Sequence, residues 1–263
     1  MALSIIVMGA AGRMGSTIAR LVEEADDLVL VAALERAESL DKIEGLKASG
    51  VLVSSDISTI LPRCPGATII DFTAPEATMI DARAAVEHGN PIIIGTTGFS
   101  EQQLAELDTL AQSGLVFRSA NMSVGINVIM DILPRLTALL GDAYDVEMME
   151  IHHNKKKDAP SGTALLLAEP LLAAKGLTRA DINTNRFDSR EPRKHAEIGI
   201  QSLRGGDVAG VHTVYYMGPG ERIEITHQAH SRENFANGAL RAARWLVSQQ
   251  PGRVYTMQDV LHD

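Results

Sequence analysis

The sequence predicts an α/β protein with an N-terminal Rossmann-like doubly wound parallel sheet, followed by a C-terminal α+β domain with an open mixed sheet. Three observations carry this. Short apolar runs alternate with segments of helical periodicity up to about residue 123. A glycine cluster, Gly9-Ala10-Ala11-Gly12-Arg13-Met14-Gly15, closes the first apolar run. Beyond residue 123 the alternation stops, and one long apolar helix precedes several long β segments.

In order, residues 3–8 are a continuous apolar run that reads as a buried strand. Met14, Ile18, Leu21, Val22 and Ala25 then recur at helical spacing, and Leu28–Leu34 is a second strand, completing a βαβ unit. Thr68–Phe72 is the next strand. Pro75 opens a helix and Gly89 closes it, following the usual placement of proline at a helix start and glycine just past its end. After a strand at Pro91–Ile94, Ser100 and Gln103 form a capping box before a helix whose buried stripe is Leu104, Leu107 and Ala111. Leu115–Phe117 is a further strand. Val124–Leu140 predicts a long apolar helix, Tyr144–Ile151 a strand, and Gly162–Ala174 a helix. Between Ala196 and Ala229, three β segments meet at Gly205-Gly206 and at Gly218-Pro219-Gly220, turns that suit antiparallel hairpins. Residues 235–249 predict an amphipathic helix expected to return to the first domain.

Composition excludes several classes. Apolar residues make up 45% of the chain and no low-complexity tract interrupts it, so disorder is excluded as its main state. One cysteine, Cys64, excludes a disulfide scaffold. A formal charge of −9 argues against nucleic acid as a partner. No apolar run approaches the roughly 18 residues of a membrane span, and the opening Ser4–Met8 run is too short for a signal sequence, so no membrane partner and a cytoplasmic location are expected.

The glycine cluster sits at a strand-to-helix turn, where backbone N–H groups can approach a pyrophosphate. Glu35, 20 residues after Gly15, stands where an acid would accept hydrogen bonds from a ribose, and Arg36 beside it could meet a 2′-phosphate. The pair predicts tolerance of both NADH and NADPH; a solvated Glu-Arg pair at a strand end is the alternative. Asp71–Pro75, Gly95–Phe99 and Ser119–Ser123 each follow a strand, at the carboxyl ends where open α/β sheets bind ligands.

The most informative segment is Glu150–Ala164. Two histidines and three lysines fall within residues 152–157 of an acidic protein, followed by Ser161 at a helix start. Ser161 can cap that helix, while its first N–H groups and the Thr163 hydroxyl can hold a carboxylate. Lys155 and Lys157 read as a solvated loop that Asp158 orders. His152 and His153 would face opposite ways on an extended segment, and no metal-ligand spacing is present, so no metal is expected. The remaining histidines carry no motif.

With its pattern E-x-H-H-x-x-K-x-D-x-P-S-G-T-A, this segment resembles the signature of the 4-hydroxy-tetrahydrodipicolinate reductase (formerly dihydrodipicolinate reductase) family, which serves diaminopimelate and lysine biosynthesis. The glycine loop, Asp71-Phe72-Thr73, Gly95–Phe99, Asn121 with Ser123-Val124-Gly125, and Phe235–Ala239 resemble family motifs in the same order. The resemblance implies His152 and Lys156 as the catalytic proton-transfer pair, with His153, Ser161, Gly162 and Thr163 holding a small dicarboxylate substrate. It places NADH or NADPH against Gly9, Ala10, Ala11, Gly12, Arg13, Met14, Glu35, Arg36, Gly95, Thr96, Thr97, Ser119, Ala120, Asn121 and Met122. The family usually has an aromatic residue where Met122 stands. It also implies a homotetramer joined through the second domain's sheet. Closure between the two domains would exclude water and bring nicotinamide to substrate. The expected domains are residues 1–123 with 234–263 for the dinucleotide, and 124–233 for substrate and oligomerisation.

Overall fold

A computed structural model describes residues 2–187 and 191–263. It divides into two compact units, Met1–Ser123 with Arg232–Asp263, and Val124–Ser231.

In the first unit, β1 (Leu3–Met8), α1 (Arg13–Glu23), β2 (Leu28–Leu34), β3 (Leu52–Ser54), β4 (Thr68–Asp71), α2 (Pro75–Glu87), β5 (Ile92–Ile94), α3 (Glu101–Leu110) and β6 (Val116–Arg118) follow one another. The sheet order is β3-β2-β1-β4-β5-β6, with every pair parallel. This is the doubly wound arrangement expected from the sequence, and its strand order reverses beside β1, where such sheets open a ligand crevice. All residues of β4 and β5 are buried, so β5 is an unbroken isoleucine run and β4 sets Ile69 and Ile70 between a buried Thr68 and a buried Asp71. The capping box at Ser100 and Gln103 forms in full. The short β3 and the irregular 3₁₀ turns over Ala37–Ser49 lack any periodic signal and were not expected.

The second unit holds α4 (Val124–Leu140), β7 (Asp145–His152), α5 (Gly162–Lys175), β8 (Ile182–Asn183), β9 (Ile198–Arg204), β10 (Gly210–Gly218) and β11 (Glu221–Ala229). The sheet order is β11-β10-β7-β9-β8. Val146 and Met148 of β7, Ile198 and Ile200 of β9, and Val214 and Tyr216 of β10 form one core with Leu133 of α4 and Leu167 and Leu171 of α5.

Two expectations are corrected here. Gly218–Gly220 does turn an antiparallel hairpin between β10 and β11, but Gly205-Gly206 does not join two paired strands. β7 lies between β9 and β10, parallel to β9 and antiparallel to β10. The glycine loop instead crosses the end of β7: Gly205 N–H donates to His152 C=O, Asn154 N–H to Gly206 C=O, and His153 N–H to Val208 C=O. The second correction concerns α4. With the turn that follows it, Val124–Ala143 is long and apolar enough to cross a membrane, at a mean hydropathy of 1.5. Asn127, Asp131, Pro134 and Arg135 break the strict apolar run without lowering the average below that level. Ile126, Asn127, Leu133 and Thr137 are buried, and the Thr137 hydroxyl lies 2.8 Å from that of Tyr216, so one face of α4 packs on the core of this unit, while Val128, Ile132 and Leu139 are exposed.

The chain returns to the first unit through α6 (Glu233–Leu246) and α7 (Met257–Leu261). Arg244 clamps Asp27 with two hydrogen bonds of 2.6 and 2.8 Å. Tyr255 exchanges backbone bonds with Val116 and Arg118 and so covers the β6 edge. Gly238 lets α6 approach the backbone at Met122: a Cβ there would stand 1.7 Å from the Met122 carbonyl oxygen. Because that obstacle is backbone, Gly238→Ala is expected to cost at least about 1–3 kcal/mol of stability, read as a lowered Tm. An unchanged melting curve would show that α6 seats without this close approach.

Candidate active site

In the first unit the glycine loop is shaped by contact with itself. Gly9 has φ +61°, and a Cβ on Gly15 would stand 2.1 Å from the Gly9 carbonyl oxygen, so α1 starts against the loop. Gly12 caps α1 with extended backbone and no side chain. Beside it opens a cavity of about 590 Å³, lined among others by Gly9, Gly12, Glu35, Arg36, Thr73 and Asp81. The Glu35 carboxylate accepts N–H bonds from Ala11 at 3.0 Å and from Arg36 at 2.9 Å, and is thereby held against the loop. The Arg36 guanidinium is mostly exposed and pairs with Glu38 at 3.2 Å. A bare helix start, a glycine cradle and an oriented acid suit a dinucleotide's pyrophosphate and ribose.

The other expected cofactor residues are placed by backbone bonds at the same strand ends. Gly95 N–H donates to Asp71 C=O, and Ser119 N–H to Ile94 C=O. Thr96 accepts a 2.9 Å bond from Thr78, Asn121 Oδ1 accepts from Ser123 N–H, and Met122 is buried. Gly95, Thr96, Thr97 and Ser119–Met122 do not line the cavity, nor do Ala10, Ala11, Arg13 and Met14.

In the second unit, the core-facing side of the sheet changes character toward one end. Strand register sets His227, His212, Glu150 and Ser202 in one cross-strand row, and His152 beside Arg204 in the next. Apolar rows give way to polar ones where β7 ends and the basic loop begins. Glu150 is 1% exposed. Its Oε1 accepts from Ser161 N–H at 3.1 Å and its Oε2 from His152 Nδ1 at 2.6 Å, while Arg204 donates to both oxygens at 2.7 and 2.8 Å. Burial pushes the Glu150 carboxyl up, but Arg204, Ser202 and His152 together outweigh it and hold it at about 2. For His152 burial prevails over the attraction of Glu150 and, helped by Lys156 and Arg204, lowers its pKa. His212 is pushed down to about 4, first by burial and then by His152.

Ser161 caps α5 by accepting the Ala164 N–H at 3.1 Å, and its Oγ lies 3.0 Å from His212 Nε2. A Cβ on Gly162 would meet nothing within 4 Å, so no packing demands glycine there. His153 Nδ1 is buried without a protein partner among the described residues. Lys156 Nζ pairs with Asp158 at 2.9 Å. Among the described residues, no group of three or more His, Cys, Asp or Glu side chains is arranged to hold a metal ion.

A family model described as dihydrodipicolinate reductase, N-terminus, matches residues 3–122, and one described as dihydrodipicolinate reductase, C-terminus, matches residues 125–261. The chain belongs to the dihydrodipicolinate reductase family. It is 56% identical over 261 residues to the 4-hydroxy-tetrahydrodipicolinate reductase of Nitratidesulfovibrio vulgaris (strain DP4), covering 99% of this chain and 100% of that protein. It is 54% identical over 265 residues to the one from Oleidesulfovibrio alaskensis, with the same coverage. In fold it is similar to a dipicolinate-bound dihydrodipicolinate reductase from Paenisporosarcina sp. TG-14, with a TM-score of 0.77, 22% identity, and coverage of 97% of this chain and 98% of that one. A myo-inositol 2-dehydrogenase from Lactobacillus plantarum shares the fold more distantly, at a TM-score of 0.62 and 15% identity over 99% of this chain and 94% of that one.

Within this dihydrodipicolinate reductase family member, several site residues escaped the sequence reading. Arg204 and His212 stand more than fifty residues from Glu150 in sequence and meet it only through strand register. Asp71 and Asp81 form a second unforeseen feature. Asp71 is fully buried and accepts bonds from the Thr73 N–H at 2.7 Å and hydroxyl at 2.6 Å. Burial, with the charge of Asp71 added, raises the Asp81 pKa from 3.8 to about 7. The folded protein therefore keeps a proton between roughly pH 4 and 7 that the unfolded chain releases, and stability falls as pH rises through that window. Asp81→Asn is expected to melt above the wild type at pH 8, with the gap closing toward pH 4. Parallel melting curves across that range would show that Asp81 is not held protonated.

Proposed function

We propose that this chain reduces 4-hydroxy-tetrahydrodipicolinate to tetrahydrodipicolinate with NADH or NADPH, in the cytoplasm, as a step of diaminopimelate and lysine biosynthesis. The observation that carries the reading is the sheet end of the second unit. There a basic loop, an open helix start and a buried acid–histidine pair stand together within a chain that matches the family along its whole length. When bound, a nicotinamide cofactor supplies the hydride.

Arg13 and Met14 at the start of α1 offer N–H groups to the pyrophosphate, and the glycine loop before them, whose Ala10, Ala11 and Gly12 N–H groups are donated to Leu34, Glu35 and Gly9, offers an open backbone. Glu35, anchored by Ala11 and Arg36, accepts from ribose hydroxyls, and Arg36 exchanges its Glu38 contact for a 2′-phosphate when one is present. Gly95–Thr97 and Ser119–Met122 line the path toward the nicotinamide. On the substrate side, the start of α5 at Ser161–Thr163 holds one carboxylate, and His153, where β7 gives way to the basic loop, holds the other end of the substrate. Gly162 leaves the space this needs.

Loss of the substrate's 4-hydroxyl as water gives the conjugated dihydro ring; hydride addition then leaves an electron pair on that ring, and a proton must neutralise it. Lys156 delivers that proton, with His152 as its relay; general acid catalysis of this kind contributes about 10²–10⁴-fold. The face of the second sheet turned away from α4 and α5 carries the partly buried Met149, Ile151, Tyr215 and Met217 and the exposed Leu203, and assembly of four copies through it covers that face and the β11 edge. Sedimentation at micromolar concentration is expected to give a tetramer; a fully active monomer would refute this assembly.

The direct test follows NADH and NADPH oxidation on the condensation product of aspartate semialdehyde and pyruvate. Turnover is expected with both cofactors, and none with either would overturn the reading. Lys156→Ala should lower kcat by about 10²-fold or more while cofactor binding persists. Gly162→Ala should leave the melting curve unchanged and raise KM for substrate about tenfold, because the added methyl meets no protein atom. An unchanged KM would move the carboxylate site away from α5.

A further inference from the structure

We propose that Glu150, clamped by Arg204, is the positioning residue of this site: it fixes which nitrogen of His152 carries the proton and ties the start of α5 and the basic loop to the same point. The proposal rests on the proton-transfer role assigned above to His152 and deepens it.

Glu150 and His152 are two apart on β7, so both side chains lie on the core-facing side of the strand. The 2.6 Å contact joins a carboxylate to His152 Nδ1, which must therefore carry the hydrogen. Nε2 is left as the accepting nitrogen. Gly210 clears its surroundings: a Cβ at that position would lie 3.1 Å from Nε2. The same carboxylate accepts Ser161 N–H, setting where α5 begins. Arg204 donates to both carboxylate oxygens and also to the Asp158 carbonyl at 2.6 Å, so one guanidinium fastens the far end of the basic loop that holds Lys156. Three parts of the site thus share a single carboxylate. Around His152 stand Lys156 and Asp158 from the loop, Arg204 from β9 and His212 from β10, whose ring meets that of His152 edge to face at 5.1 Å, while His227 of β11 lies beyond His212.

Glu150→Gln separates this role from packing, because the amide keeps the shape but cannot present two acceptor oxygens. Orienting its oxygen toward Ser161 and Arg204 turns its NH₂ toward His152 Nδ1, which forces the hydrogen to Nε2. The expected result is a fall in kcat of at least 10²-fold, with NADH affinity within about threefold of wild type. Losing the carboxylate also disfavours imidazolium, so any limb of the kcat–pH profile set by His152 should move to lower pH.

The deciding measurement is a double-mutant cycle with His152→Ala. A residue that acts through His152 adds no further loss in that background. Arg204→Lys, which keeps the charge but loses the two-pronged contact, gives a second route if Glu150→Gln folds poorly; it should lower kcat about tenfold, again with no added effect on His152→Ala. Wild-type kcat in Glu150→Gln and Arg204→Lys, or losses that persist fully in the His152→Ala background, would overturn the proposal. If His152→Ala itself kept normal kcat, the role of His152 would fall, and the positioning proposal with it. Loss in His152→Ala alone would leave that role standing and remove only the proposal.

Discussion

The buried contact between Glu150 and Arg204 is the constraint on which the chemistry of the second unit depends. A carboxylate with 1% exposure is strongly disfavoured unless it is paired and hydrogen-bonded, and removing one partner of such a pair leaves a buried charge uncompensated. Here the pairing is saturated by Arg204, His152, the Ser161 N–H and Ser202. These partners come from β7 itself, from β9 and from the start of α5, so satisfying the charge also brings those three into one register. The apolar remainder of the same sheet face, from Val146 to Tyr216, supplies the core against which that polar end is built.

The first unit solves a different problem with backbone. Gly15 lies against Gly9 with no room for a side chain, which fixes how α1 leaves β1 and keeps its N-terminus open. Glu35 is oriented by two backbone N–H bonds, with the Arg36 guanidinium at the longer distance of 3.8 Å. Asp71 at the end of β4 and Asp81 on α2 share a buried region where two negative charges are unfavourable together, and burial raises the pKa of both. The two units thus use buried acids in opposite ways, one held ionised by a cation and the other held protonated by its surroundings.

Much of this was legible in the sequence because local rules agree with the global fold. The alternation of apolar runs with helical spacing, the Ser100 capping box, Pro75 at a helix start and the glycines at 9–15 each reflect interactions within a few residues. The basic segment was conspicuous because its charges depart from an acidic background. What was not legible depends on distant pairing. The Gly205-Gly206 turn looks like a hairpin until β7 is seen to run between β9 and β10. His212 and Arg204 carry no motif and join the site only through cross-strand register. β3 and β8 are too short for periodicity to register, and the membrane-length average of α4 emerges only when its polar interruptions are smoothed over a window.

The central claim is that the Glu150 carboxylate sets the protonation of His152. Side-chain ¹⁵N NMR of His152 in the unliganded protein tests it most directly, with the signals followed from pH 5 to 8. The account requires a neutral ring at pH 7 with the hydrogen on Nδ1 and Nε2 unprotonated, since burial, Lys156 and Arg204 lower its pKa while Glu150 fixes the tautomer. A hydrogen resident on Nε2, or a doubly protonated ring persisting at pH 7, would contradict it.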